Sequence, residues 1–158
     1  MKLIFAFITA FVFFLQGPDL DTARLKFPTA HTTKQNADNF AKLVANGTGS
    51  TMTGYKAAAK IIQAKFAKGE GRKKIIAAGV KSLENSIKTD SDNAELRLIR
   101  LSIQESLPKF IRYDTHIAAD KAFLLKNFTS QNFALKAQIK KFAAVSKSFT
   151  AQEKLKLK

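Results

Sequence analysis

From Asp19 onward, apolar residues recur every three or four positions, the period of an amphipathic α-helix. No useful stretch alternates as a half-buried strand does. The pattern predicts helices joined by short polar turns. A first segment over residues 19–33 opens with acidic residues and is divided by Pro28. A second covers 34–44, with Ala37, Phe40, Ala41 and Val44 on one face, and stops at Asn46-Gly47. After a loop over 47–51, a third helix over 52–68 carries Tyr55, Ala58, Ala59, Ile62 and Phe66. The Gly69-Glu70-Gly71 break leads to a fourth over 72–89, with Ile75, Ile76, Gly79, Val80, Leu83 and Ile87. Asp90-Ser91-Asp92-Asn93 forms a polar turn and helix cap. A fifth helix over 94–106 is apolar on nearly all sides (Leu96, Leu98, Ile99, Leu101, Ile103), which predicts a central position. Helices over 115–127 and 132–146 follow. The Thr150-to-Glu153 spacing is a capping box that opens a short last helix. The predicted fold is all-α, a bundle of about seven helices.

The extreme N-terminus has a different character. Lys2 precedes residues 3–15, in which Thr9 is the one polar side chain. That run is shorter than the ~20 residues needed to span a bilayer and matches the apolar region of an export signal. The sequence therefore predicts a signal peptide over residues 1–17 and a single helical domain over 18–158. Cleavage is expected between Gln16 and Asp19, where Gly17 is suitably small but Pro18 opposes it. The expected location is periplasmic or secreted, with membrane tethering if the leader is retained.

Two resemblances bear on the fold. Gly79, Leu83, Ser86 and Ser91, followed by the turn to Asn93, resemble the second helix and exit turn of a tetratricopeptide repeat, with Ser91 where that repeat has proline. The resemblance implies repeat-like helix pairing over a short stretch; no second copy follows. Residues 93–105, 108–113 and 117–121, with Tyr55-Lys56-Ala57-Ala58 and the 149–154 segment, resemble a family of small exported helical proteins of flavobacterial type. That resemblance implies an exported all-helical protein and brings no catalytic residue.

Composition narrows the chemistry. The chain has no Cys and no Trp, which excludes disulfides, thiolate metal sites and a cysteine nucleophile. His31 and His116 lack ligand spacing. The stretch from Gly49 to Gly54 has the glycine spacing of a phosphate loop, but Tyr55-Lys56 stands where Lys-Ser/Thr is required. No catalytic, metal or cofactor residue is expected, and the protein reads as a non-enzyme.

Charge changes the picture more. Lys+Arg number 27 against 12 Asp+Glu, a net +15. Lysine dominates, and no nucleic-acid motif is present, so nucleic acid is disfavoured. An unknown protein partner or an anionic envelope component is expected instead. Most phenylalanines, Phe110 and Phe133 among them, fall on helical stripes and are assigned to the core. One polar stripe is out of place. Arg97, Arg100 and Gln104 share a face of the apolar fifth helix. A guanidinium there needs an anion, whether Glu84, Asp114, Asp120 or a ligand. The candidate cluster is Arg97, Arg100, Gln104, Tyr113, Asp120 and Lys121, either an ion-pair network or an anion-binding site.

Overall fold

A computed structural model describes residues 19–157. The predicted signal peptide and its cleavage region before Asp19 lie outside the described residues. Those described form eight α-helices and no strand: α1 (Leu20–Lys26), α2 (Lys34–Val44), α3 (Ser50–Ala64), α4 (Glu70–Thr89), α5 (Ala94–Ser106), α6 (Ile117–Asn127), α7 (Phe133–Val145) and α8 (Ala151–Leu155). Short 3₁₀ turns follow α1 at Phe27–Thr29 and α5 at Lys109–Ile111.

Local rules account for most of these ends. Asp19, Thr33, Asn93, Asn132 and Thr150 each accept a backbone N–H of the first turn. At Thr150 the Glu153 side chain returns the bond, completing the predicted capping box. Two helices start earlier than the pattern predicts. Gly49 and Gly69 stand at the N-caps of α3 and α4 with φ of +88° and +67°, a backbone region that favours glycine. Each glycine turns the chain directly into its helix, so α3 begins at Ser50 rather than Met52 and α4 at Glu70 rather than Arg72. Gly54 is thus inside α3, buried against Leu96, and not part of a loop.

Burial then arranges the helices. α3 packs most extensively on α4, and α5 on α6. Two apolar clusters result. The first joins α1 to α5 and holds Phe27, Phe40 and Tyr55 with ring centroids 5.3–6.0 Å apart. Such aromatic pairs add about 0.5–1.5 kcal/mol each beyond their buried area. The second joins α5 to α6, α7, Phe149 and Leu157. α5 lies between them, with Leu96, Ile99 and Ile103 in the first cluster and Ala94, Leu98 and Leu101 in the second. The central position predicted for this helix is therefore observed. Two phenylalanines depart from prediction. Phe110 is 72% exposed and Phe133 88% exposed, because each sits at the edge of an element with no neighbour over it.

The α3–α4 contact is close because of Gly79. A Cβ there would stand 2.5 Å from Ile61 Cγ1 and 3.1 Å from the Ala57 carbonyl oxygen. Gly71, in the first turn of α4, has open space around it. Gly79→Ala should therefore lower unfolding free energy by about 1–3 kcal/mol despite alanine's better helix propensity. Gly71→Ala should raise it by about 0.5 kcal/mol. Urea denaturation of both variants checks the contrast.

Candidate functional site

α5 carries two charged faces into the interior. On one, Arg100 forms a bidentate pair with Asp120 of α6. Its Nε donates to Oδ2 at 2.7 Å and its Nη2 to Oδ1 at 2.6 Å. Its remaining Nη1 donates to Glu84 Oε2 of α4 at 2.7 Å. Both Arg100 and Asp120 are buried. Tyr113 donates its hydroxyl to the other Glu84 oxygen at 2.5 Å. Arg97 reaches Asp120 Oδ1 at 3.2 Å and the Ser91 carbonyl at 3.1 Å, with its guanidinium over the Phe123 ring. Burial opposes the Arg100 charge, but Asp120 and Glu84 outweigh it and hold the guanidinium pKa above its ordinary value. Burial first, and then Glu84, push the Tyr113 hydroxyl pKa up.

Of the six residues predicted as a cluster, the structure brings four together: Arg97, Arg100, Tyr113 and Asp120. Lys121 is elsewhere. It pairs with Glu153 of α8 at 2.8 Å and donates to the Ser148 carbonyl. Successive residues of a helix point about 100° apart, so a residue next to Asp120 cannot share its face. Gln104 lies buried with neither amide atom bonded among the described residues. Of the predicted acidic partners, Glu84 and Asp120 meet the arginines, whereas Asp114 is exposed. The donors that a ligand anion would need on Arg100 are thus occupied by carboxylates.

The opposite charged face of α5 was not anticipated from sequence. Glu95 is buried and takes a bidentate pair from Arg24 of α1, Nε at 2.9 Å and Nη2 at 2.6 Å. Tyr55 of α3 donates to the same carboxylate at 2.7 Å. The hydrogen bond to Glu95 raises the Arg24 pKa, while burial, followed by the Glu95 charge, raises that of Tyr55. The available signal was Glu95 itself, a carboxylate in the first turn of α5. Its partner could not be read, because Arg24 lies 71 positions away.

Beside this second cluster is a cleft of about 520 Å³. That size falls in the ~300–1,000 Å³ range of small-ligand sites. α1 and its following turn contribute Leu25, Phe27 and Pro28, α5 contributes Leu98 and Ile103, and α7 contributes Ala134, Ala137, Phe142 and Val145. Gln138 of α7 donates to the Arg24 carbonyl at 2.5 Å, joining the two flanking elements. The polar groups at the cleft include two carboxylates, Asp21 and Glu105, and two cations, Arg24 and Lys141. Glu105 accepts from the Ser146 hydroxyl at 2.5 Å, from the Ser148 hydroxyl and from the Lys147 N–H. None of Arg100, Asp120 or Glu84 lines the cleft. Among the described residues, no three His, Asp or Glu side chains converge as a metal site.

No family model, no curated protein and no solved structure matches the chain.

The Arg100 cluster has a direct structural test. Asp120→Ala leaves a buried guanidinium with only the partly exposed Glu84, and should cost about 3–5 kcal/mol. The double variant Arg100→Met, Asp120→Leu removes both charges and should recover most of that loss. Chemical denaturation curves of the single and double variants give the comparison. An Asp120→Ala protein as stable as wild type would show that the pair does not hold α6 on α5.

Proposed function

We propose that the protein is an exported, non-enzymatic binding module whose binding surface is the cleft between α1, α5 and α7. The observation that carries this reading is the cleft itself, a cavity of about 520 Å³ set on packed helices and lined by apolar side chains from α1, α5 and α7. The non-enzymatic part rests on the acids. Asp120, Glu84 and Glu95 are held by arginines and tyrosine hydroxyls, and Glu105 by serine hydroxyls. The export part rests on the apolar run over residues 3–15 and on the resemblance to small exported helical proteins. No described helix is long and apolar enough to cross a membrane. The scaffold is proposed to pair its helices as a tetratricopeptide repeat does, with Gly79 as the small residue that admits α3.

Anion binding through the Arg97, Arg100 and Gln104 stripe is the weaker alternative. Its guanidinium groups already face Asp120 and Glu84. An anionic envelope polymer would have to use the surface lysines instead.

Two measurements test the proposal. Nile red, a neutral apolar dye, should bind one to one with enhanced fluorescence. Ala137→Trp, which fills the cleft from α7, should weaken that binding at least about tenfold. A variant with unchanged melting temperature and unchanged dye affinity would remove the cleft from consideration. For export, the intact mass of the protein from fractionated native cells should show a chain starting at residues 17–19 outside the cytoplasm. A full-length soluble cytoplasmic form would overturn it.

A further inference from the structure

We propose that the solvent face of α7 docks on an anionic lipid bilayer, with Phe133 entering the surface and Lys136 and Lys140 meeting the headgroups. This face is separate from the cleft, and what the cleft binds does not bear on it.

Charge is unevenly distributed along the chain. Residues 122–152 contain five lysines and no aspartate, glutamate or arginine. α7 lies wholly inside that run. Successive helical residues point about 100° apart, which sorts its side chains into three directions. Leu135, Ile139 and Ala143 are buried in the second apolar cluster. Ala134, Gln138 and Lys141 turn to the cleft. Phe133, Lys136, Lys140 and Ala144 stand at i, i+3, i+7 and i+11, on the side left toward solvent. That stripe runs about 16 Å along the helix. Phe133 is 88% exposed at one end of it, so the packing of α7 does not account for the ring.

The acids of the surrounding elements do not balance this stripe. Among the described residues, none of Lys126, Lys136 and Lys140 has a carboxylate within ion-pair distance. Lys140 reaches over the Phe128 ring, 5.9 Å from its centroid, so the end of α6 that carries exposed Lys126 borders the stripe. On the elements packed around α7, Asp120 is buried against Arg100, Glu95 against Arg24, and Glu153 pairs with Lys121. Asp19 and Asp21 belong to the start of α1, which meets α7 at Gln138. Gln138 is two residues from both Lys136 and Lys140 and therefore points to the opposite side of the helix. Glu105 lies at the cleft, held by Ser146 and Ser148.

A positive stripe with no facing acid and an exposed ring at one end suits a surface that is negative outside and apolar beneath. An anionic bilayer has that profile. Each lysine close to it strengthens association about fivefold. An aromatic ring enters below the headgroups, while lysine stems lie along apolar material with their ammonium groups in the headgroup layer. A hydrated anionic polysaccharide matches the lysines but offers the ring nothing to enter.

The chain has no tryptophan, so Phe133→Trp places a single reporter on the stripe. The full chain is titrated with vesicles of phosphatidylcholine alone and of phosphatidylcholine mixed equally with phosphatidylglycerol. Position 133 is read directly because an uncleaved leader can attach the chain to either vesicle. Emission of the Phe133→Trp protein should shift to the blue with anionic vesicles and stay unchanged with neutral ones. Adding Lys136→Gln and Lys140→Gln should raise the lipid concentration that gives half the shift at least about tenfold. Lys81→Gln with Lys88→Gln removes the same charge from α4, which packs on α3 and α5, and should change it less than about threefold. Phe110→Trp, at the other exposed phenylalanine, should show no shift. The substituted side chains belong to neither apolar cluster, so the variants keep the fold. An absent shift, or an equal shift with neutral vesicles, would overturn the proposal. Equal effects of the two lysine pairs would overturn it too, since only net charge would be at work. So would a shift at position 110 as large as that at 133. Binding of dextran sulfate that depends on Lys136 and Lys140, with no shift on anionic vesicles, would replace the bilayer by an anionic polysaccharide. Nile red binding at the cleft should be unchanged in all these variants, which keeps the two readings distinguishable.

Discussion

The constraint on which the structure depends is that α5 is mostly buried and yet carries charge. Arginine cannot shed its proton to escape a low-dielectric site, so Arg100 must be met by anions wherever α5 is covered. Asp120 supplies a bidentate partner and Glu84 a second carboxylate. These bonds tie α6 and α4 to one face of α5. Glu95 makes the reverse demand on the opposite face, and Arg24 with Tyr55 answers it from α1 and α3. Buried pairs of this sort add little net stability over apolar residues of equal size. Their effect here is on arrangement. A one-residue slip of α6 along α5 would put Ala119 or Lys121 in place of Asp120 opposite Arg100, so the pair fixes the register in which the second core can close.

The cleft follows from the same helix. Two faces of α5 feed the two apolar clusters, and the Arg97, Arg100 face goes to α4 and α6. The side that remains carries Glu95, Ser102 and Ser106, and it looks toward α1 and α7. α1 is only seven residues long and gives way to the turn that contains Pro28. α7 presents Ala134 and Ala137. A short helix on one flank and small side chains on the other leave the Ser102 and Ser106 side of α5 incompletely covered. Gln138 and the Arg24 carbonyl hold the flanks in contact, so the gap is built into the packing.

How much of this was legible in the sequence divides along the range of the interactions. The ends of α2 and α5 follow from Thr33 and Asn93, each of which caps its own first turn. The starts of α3 and α4 were misplaced because Gly49 and Gly69 read as breakers, whereas at positive φ they initiate the helix that follows. The Arg97, Arg100 stripe was visible as a polar interruption in an apolar helix, and Glu84 and Asp120 were among the acids near enough in sequence to meet it. Glu95 was not among the acids singled out in the sequence. Its partner Arg24 is 71 residues away, and Gln138 reaches α1 across 114. Periodicity shows that a residue has a face, not that the face has a neighbour. That is why Phe110 and Phe133 were assigned to a core neither one enters, and why the cleft, made by elements from both ends of the chain, left no local trace.

The internal networks also determine what the positive charge means. Arg24, Arg97 and Arg100 are balanced by Glu84, Glu95 and Asp120, three cations against three anions. The interior is therefore close to neutral, and the positive excess of the described residues belongs to a surface dominated by lysine. Lysine is a compact, strongly hydrated point charge that attracts anions without the fixed fork of arginine. Such a surface draws acidic partners to the molecule and speeds encounter, but it discriminates weakly among them. Discrimination has to come from a place where shape and desolvation act together. The cleft is such a place, because its apolar side chains reward a partner that brings apolar side chains to them.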